Sequence, residues 1–347
     1  MREVLALLRR AAGRLALAAV AACTLAVDGA RADAVTDFYR GKIVTLVIVT
    51  ATGGVYDDYG RLLGRHLGRH IPGQPTIVIQ NMGGAAGIIG ANYVFNQAPQ
   101  DGTVLVNLLN TLPLVKVLGQ VNAKIEPEQF NWIGNMALAT GDIIVSTRSK
   151  AKVMADVKEV EVTMGATSPL ALGGLYPKLL DRVLGTKFRL ISGYEGTAAV
   201  ELAIDRGEVD GQAGGTWFRG SGTDYDWFRQ GKIRVLAQIG ARAADLPDVP
   251  LLTELVTKTE DRQLMELFSS PFTVGKPTAV GPKVPAERVA ALRQAYMETM
   301  RDPAFLADAA KFGIDIDPTS GEDLGKLVQH VMSLPPDLLA NARAVMQ

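Results

Sequence analysis

The stretch Ile43–Val49 is a run of β-branched and aliphatic residues that breaks at once into a glycine-containing turn and then into helical spacing. A strand apolar at nearly every position suits burial on both faces, as in a parallel sheet. From Tyr59 the apolar positions Tyr59, Leu62, Leu63, Leu67 and Ile71 recur at helical spacing, while Arg61, Arg65 and Arg69 form a basic stripe on another face. The unit then repeats: Thr76–Gln80 reads as a strand, Asn81–Gly87 as a turn of small residues, Ile88–Phe95 as a helix, and Thr103–Val106 as the next strand. Short alternation of strand and helix predicts right-handed crossovers into an open, mostly parallel sheet. Such sheets bind their ligands beyond the carboxyl ends of the strands.

A second series begins near Asp142, with strands at Ile143–Val145, Val160–Met164, Phe188–Ile191 and Val209–Ala213, and helices at Leu172–Leu184 and Thr197–Arg206. Arg234–Ile239 and Phe272–Val274 read as strands returning to the first lobe, and Pro285–Phe312 and Gly321–Met346 as helices that close it. The expected division is residues 33–140 plus 238–347 for lobe 1 and 141–237 for lobe 2. A lobe built from two chain segments implies a double-stranded hinge. At 347 residues, 48% of them hydrophobic, the chain is long enough for two cores.

The first 32 residues form a separate unit. Arg2, Arg9, Arg10 and Arg14 precede the apolar run Leu15–Val27, and Ala30-Arg31-Ala32 supplies the small-x-small pattern of a signal-peptide cleavage site. The apolar run is shorter than the roughly 20 residues of a membrane span. A cleaved leader places the mature protein in the periplasm; a lipid anchor on Cys23 is the minor alternative. Cys23 is the chain's one cysteine, so cleavage beyond it leaves no disulfide, thiolate metal site or cysteine nucleophile.

Lysine plus arginine equals aspartate plus glutamate at 36 each, which gives no global field to gather nucleic acid. An anion must therefore be recognised locally. The turn Thr52-Gly53-Gly54-Val55-Tyr56-Asp57 joins a buried strand to a helix and can bring backbone N–H groups to a bound anion at a positive helix end; equally, tight turns favour glycine, and Asp57 suits a helix cap. The turn Asn81-Met82-Gly83-Gly84-Ala85-Ala86-Gly87 offers the same device. In the second lobe Gly193-Tyr194-Glu195-Gly196-Thr197 again links strand to helix, with Thr197 placed to cap it or to present a hydroxyl. Gly211–Thr216 and Trp217 end a strand where they can wall a pocket or simply fill the core.

Other chemistries lack their motifs. Gly84, Gly87 and Gly90 have the wrong spacing for a dinucleotide fingerprint, and Asn107 stands where its acidic residue belongs. No triphosphate loop and no G-x-S-x-G elbow is present. His66 and His70 are four apart, yet no H-E-x-x-H surrounds them, so a half-buried helical face is expected there instead of a metal site. The expectation is no cofactor, no metal and no catalytic residue.

Several stretches together resemble the substrate-binding proteins of tripartite tricarboxylate transporters, the Bug family of periplasmic receptors: Asp37-Phe38-Tyr39-x-Gly41-Lys42, Gly53-Gly54-x-Tyr56-Asp57-x-Tyr59-x-Arg61-Leu62-Leu63, His70-Ile71-Pro72-Gly73-x-Pro75, Gln80-Asn81-Met82, Asp101-Gly102-Thr103, Leu184-Gly185-Thr186-Lys187-Phe188, Gly193-Tyr194-x-Gly196-Thr197 and Arg206-Gly207-Glu208-Val209-Asp210-Gly211. The likeness runs from about Asp37 to the C-terminus. It implies an α/β, two-lobed Venus-flytrap fold, a carboxylate gripped by backbone amides and waters, and delivery to membrane subunits of a transporter by a monomeric receptor. Carried over position by position, it implies ligand contacts at Thr52, Gly53, Gly54, Asp57, Asn81, Gly84, Ala85, Ala86, Gly87, Thr167, Tyr194, Gly196 and Thr197; Tyr56, Ser168 and Thr216 beside them are expected ligand-binding residues as well.

Two departures from the family pattern stand out: Gly83-Gly84-Ala85-Ala86-Gly87 after Asn81-Met82, and Ser168-Pro169-Leu170-Ala171 after Gly165-Ala166-Thr167. Leu170 and Ala171 add apolar bulk, which points to a ligand less polar than citrate. Two other functions stay open at this point: a sensing subunit for a membrane signalling partner, and a periplasmic hydrolase or lyase using an acid pair.

Overall fold

The computed structural model describes residues 34–119, 124–217 and 222–345. The leader reading, with Cys23, lies outside them. Two separate sheets organise the chain. In the first, β1 (Ile43–Ile48) pairs in parallel with β2 (Thr76–Asn81) and β3 (Val104–Asn107), while β4 (Asn131–Asn135), β10 (Pro277–Val280) and the short β11 (Thr319–Ser320) extend it antiparallel, in the order β11-β4-β10-β3-β1-β2. The second has the order β7-β6-β8-β5-β9, with β5 (Thr140–Ser146), β6 (Val162–Ala166), β7 (Phe188–Ser192), β8 (Gly211–Trp217) and β9 (Ile233–Gly240). Its β6 pairs are parallel and its β5 pairs antiparallel.

Both sheets are thus mixed, where mostly parallel ones were expected. The physical reason is the crossing between them. A strand that leaves one sheet for the other, and its returning counterpart, enter without a helical crossover, and only a crossover enforces parallel pairing. The antiparallel strands β4, β5 and β10 are the ones that flank those crossings.

Helix α1 (Val55–Leu67) shows how pattern becomes packing. Its buried Tyr59, Leu62, Leu63 and Leu67 join Val44, Leu46 and Tyr296 in the first core, each large aliphatic side chain contributing ~1.5–3 kcal/mol by leaving water. The basic stripe is spent on neighbours: Arg65 pairs with Asp308 at 3.2 Å and Arg69 with Asp302 at 2.9 Å. His66 and His70 meet the same two carboxylates at 3.0 and 2.9 Å, so the end of α1 and the turn after it form a docking seam for the helix at Pro303–Lys311.

Three elements differ from expectation. Arg234–Ile239 belongs to β9 and stays in the second sheet, paired with β5. Phe272–Val274 is the end of a 16-residue helix, Thr259–Val274, because the apolar set Leu264, Met265, Leu267, Phe268 and Phe272 has helical spacing and packs into the second core. The last helix, Pro336–Val345, also enters that core, through Leu338, Ala342 and Val345.

The backbone therefore passes between sheets twice, at residues 136–139 and again at Gly275-Lys276, and the two passages are hydrogen-bonded together. Lys276 N–H donates to Ala137 O at 3.2 Å, Met136 N–H to Lys276 O at 3.3 Å and Ala139 N–H to Phe272 O at 2.9 Å. Gly275 has φ +67°, and a Cβ there would lie 2.0 Å from Ala137 O. Only glycine lets the two passages approach this closely.

Candidate functional site

Between the sheets lies a cleft of about 470 Å³. Val55, Tyr56 and Lys276 line it from the first sheet's side, and Thr197, Glu201, Gly214, Gly215, Thr216, Thr223, Asp224 and Tyr225 from the second's. Helix α1 and the helix Thr197–Arg206 both begin at this cleft, after Gly54 and Gly196, and neither start carries a side-chain cap. Their first backbone N–H groups thus stay available, with the positive helix ends facing the same space.

Lys276 is the cleft's cation. It is only 7% exposed, its ammonium lies 4.7 Å from the ring centre of Tyr56 and 5.8 Å from that of Tyr59, and it makes no ion pair among the described residues. Burial alone lowers it to about 8. Its backbone is fixed by the hinge, where Asn135 Oδ1 accepts from Lys276 N–H at 2.5 Å. Tyr56 is held from both ends, its hydroxyl donating to Gly275 O at 3.2 Å and accepting from Asn110 N–H at 3.1 Å.

The opposite wall is acidic. On β5, Asp142 faces Gly215 of β8, and a Cβ on Gly215 would lie 2.6 Å from Asp142 Oδ1 and 3.2 Å from Asp224 Oδ2. The two carboxyl groups thus converge beneath one glycine of the cleft floor. The β8 register skips Gly214, whose φ of +68° makes the bulge that bends Gly214–Thr216 into the cleft. Burial, then the charge of Asp224, pushes Asp142 well up. Burial, then the charge of Glu201, raises Asp224 to about 6, while Gln212 Nε2 donates to its oxygens at 3.3 and 3.2 Å.

Of the residues singled out from sequence, Tyr56, Thr197 and Thr216 line the cleft. Thr197 is the first helical residue and Gly196 the cap position, so Thr197 does not cap its helix. Thr52, Gly53 and Gly54 are exposed at the α1 start, as are Gly84 and Ala85 in the neighbouring turn, where Gly83 packs on residues 50–51. Gly87 is buried, a Cβ there lying 2.9 Å from Val49; Ala86 sits in the same short turn, Ala85–Gly87.

Asp57 and Asn81 are consumed internally. Asp57 accepts from Gly53 N–H (2.9 Å), Arg61 Nε (2.8 Å) and Asn81 Nδ2 (2.8 Å), and Arg61 also donates to Asn81 Oδ1 at 3.0 Å. Burial opposes ionisation of Asp57, but these donors hold it down to about 2. The group clamps the glycine turn to β2 and leaves no free carboxylate for a ligand.

In the second lobe Thr167 is exposed, and Ser168 Oγ accepts from Leu170 N–H at 3.2 Å. Tyr194 packs on the small cluster of Val200, Ala203 and Ile204. Leu170 is 52% exposed and does not line the cleft, so the apolar bulk inferred there does not shape the cavity. Trp217 is buried against Tyr225 and Phe228 with Nε1 on Asp245, which makes it core.

Sequence reasoning missed Lys276, Glu201 and Asp224, which lie on separate elements without a local motif. Asp142 carried a signal, being the acid inside the apolar strand Ile143-Ile144-Val145 continues.

Two α/β bodies joined by paired passages around an open cleft define a two-lobed solute-binding protein. Residues 65–335, well over half of the chain, match the family described as tripartite tricarboxylate transporter family receptor, and the chain belongs to that family. The fold is similar to a TctC solute binding protein from Polaromonas, with a TM-score of 0.69 at 20% identity over 89% of this chain and 99% of that one. It is also similar to malate-bound MatC of Rhodopseudomonas palustris, with a TM-score of 0.56 at 20% identity over 88% and 99% of the two chains. A protein of Agrobacterium vitis from the TAR-I ttuE-ttuC' intergenic region is 26% identical over 180 residues, which span 50% of this chain and about half, 51%, of that relative. The family is one of receptors, not of enzymes.

Proposed function

We propose that this chain is an exported receptor that captures a small carboxylate between its lobes and delivers it to the membrane subunits of a tripartite transporter. The observation that carries this reading is Lys276, a buried ammonium that lines the interlobe cleft and has no counter-ion among the described residues. A buried cation is costly until paired, so an incoming carboxylate completes the site. The uncapped starts of α1 and of the helix at Thr197–Arg206 add backbone donors from both lobes. The malate held by MatC, a protein of similar fold, supports the ligand class.

On this reading Thr52, Gly53, Gly54, Gly84, Ala85, Thr167 and Ser168 form the rim that comes in as the lobes close, while Asp57 and Asn81 hold the turn in shape. The lobes move about the paired passages at residues 136–139 and Gly275-Lys276. The receptor works as a monomer in the periplasm after loss of residues 1–32. Calorimetry of ligand-free protein against a panel of carboxylates tests it: micromolar or tighter binding with lobe closure in solution scattering is expected, and a folded protein that binds none of them overturns it. Co-purification with transporter subunits, as opposed to a signalling receptor, tests the partner.

A further inference from the structure

The cleft carries charge of both signs on opposite walls. Among the described residues, one ammonium stands on the first sheet's side, that of Lys276, nine-tenths buried and without an ion-pair partner. On the second sheet's side stand Asp224, which is 9% exposed, and Glu201, both lining the same space. Behind them Asp142 is fully buried and converges on Asp224, and no N–H donor among the described residues serves either of its oxygens. Gln212 is the neutral donor that serves Asp224, at the long distances of 3.3 and 3.2 Å. No lysine, arginine or histidine lines this wall among the described residues.

A dicarboxylate fits only half of this arrangement. One carboxylate meets Lys276, and the second is driven toward Asp224 and Glu201, where like charges repel in a partly dehydrated cleft. A ligand with an ammonium at its far end meets the reverse condition, because the acidic wall supplies carboxylates that no cation among the described residues pairs with.

Resting on the receptor reading above, we infer that the ligand is an amino carboxylate, its carboxylate on Lys276 and its ammonium on the wall formed by Asp224 and Glu201. The threonine hydroxyls of Thr197, Thr216 and Thr223 surround this wall and accept or donate as the ligand requires. Asp142 backs this wall, its carboxyl pushed up by burial and by the charge of Asp224. The cleft then closes on a zwitterion without an uncompensated charge on either lobe.

Calorimetry at neutral pH with three matched series tests this: ω-amino carboxylates from β-alanine to 6-aminohexanoate, the dicarboxylates from malonate to adipate, and the plain monocarboxylates of the same lengths. The best amino carboxylate is expected to bind at least tenfold more tightly than the dicarboxylate and the monocarboxylate of its length. Glu201→Gln and Asp224→Asn should each cut the ratio of amino carboxylate to monocarboxylate affinity at least threefold; Glu201 is half-buried at the cleft surface, so its variant reports even if Asp224→Asn misfolds. Dicarboxylates binding best overturns the inference and leaves the receptor reading standing. A preference for amino carboxylates that both variants retain overturns the assignment to this wall. Binding of no member of any series overturns the receptor reading and this inference together.

Discussion

The ammonium of Lys276 lies 4.7 Å from the centre of the Tyr56 ring, on the backbone passage that ties the two sheets together. The ring face offers ~0.5–2 kcal/mol of attraction, which is well short of the cost of burying an unpaired charge. The site is thus left with an unmet electrostatic demand on the passage between the two sheets. A carboxylate that meets it both binds the cation and bridges to the opposite lobe.

Replacing Lys276 by Met keeps the unbranched apolar stem and removes the charge. Carboxylate affinity should fall by about 1.5–3 kcal/mol, roughly ten- to hundredfold, while ligand-free stability rises by up to about 3 kcal/mol, since the buried charge no longer has to be maintained. Calorimetry and thermal melting of K276M measure both; a variant that binds as the parent does removes Lys276 from the site.

The lysine also sets a pH dependence. Burial holds it near 8 in the ligand-free protein, against an ordinary value of 10.5. As pH rises through 8 the folded protein loses the charge that a carboxylate needs, so affinity should decline, approaching tenfold per pH unit above that point. Between about 8 and 10.5 the unfolded chain binds this proton and the folded one does not, so the Lys276 contribution to stability rises with pH across that window. Titrations of the parent and K276M side by side isolate both effects.

At Gly275 an alanine would place its Cβ 2.0 Å from Ala137 O in a backbone conformation of φ +67°. The two passages between sheets must part to admit it. G275A should lose about 2–4 kcal/mol of stability, and chemical denaturation reads it directly; a loss under 0.5 kcal/mol means the passages tolerate separation.

Asp57→Ala strands Gly53 N–H, Arg61 and Asn81 without their shared acceptor. A loss of about 1–3 kcal/mol is expected, with weaker ligand binding because the α1 start is no longer held. The folded-state value of Asp57, depressed to about 2 from an ordinary 3.8, means its contribution is complete above 4 and disappears as pH falls through 2. Acid denaturation of D57A should accordingly lose the part of the parent's pH dependence that lies in this window.

Much of the fold was legible because local pattern and tertiary role agree. Leu172–Leu184 and Thr197–Arg206 are helices at the expected residues, and Ile43–Ile48, Thr76–Asn81 and Phe188–Ser192 are strands within a residue or so of expectation. The antiparallel strand Asn131–Asn135 was not, since Asn131 and Asn135 at its ends mask Trp132 and Ile133 between them. Phe272–Val274 misled because three residues cannot distinguish a buried strand from the last turn of a buried helix. In the site, Tyr56, Thr197 and Thr216 were found through glycine turns that mark strand ends. Asp57 and Asn81 stood in two separate glycine turns, and only the packed structure shows their polar atoms meeting each other.

By itself the sequence determined the succession of buried strands, glycine turns and amphipathic helices, because hydrophobic period and turn chemistry are local properties of the chain. It also carried the family, through motifs spread along most of its length. The tertiary structure alone decided the electrostatics of the cleft. Lys276, Glu201 and Asp224 come from three elements far apart in the chain, and a charge acquires its meaning from burial and from the sign of what faces it. Those quantities depend on how two sheets are set against each other, which no local stretch of residues contains.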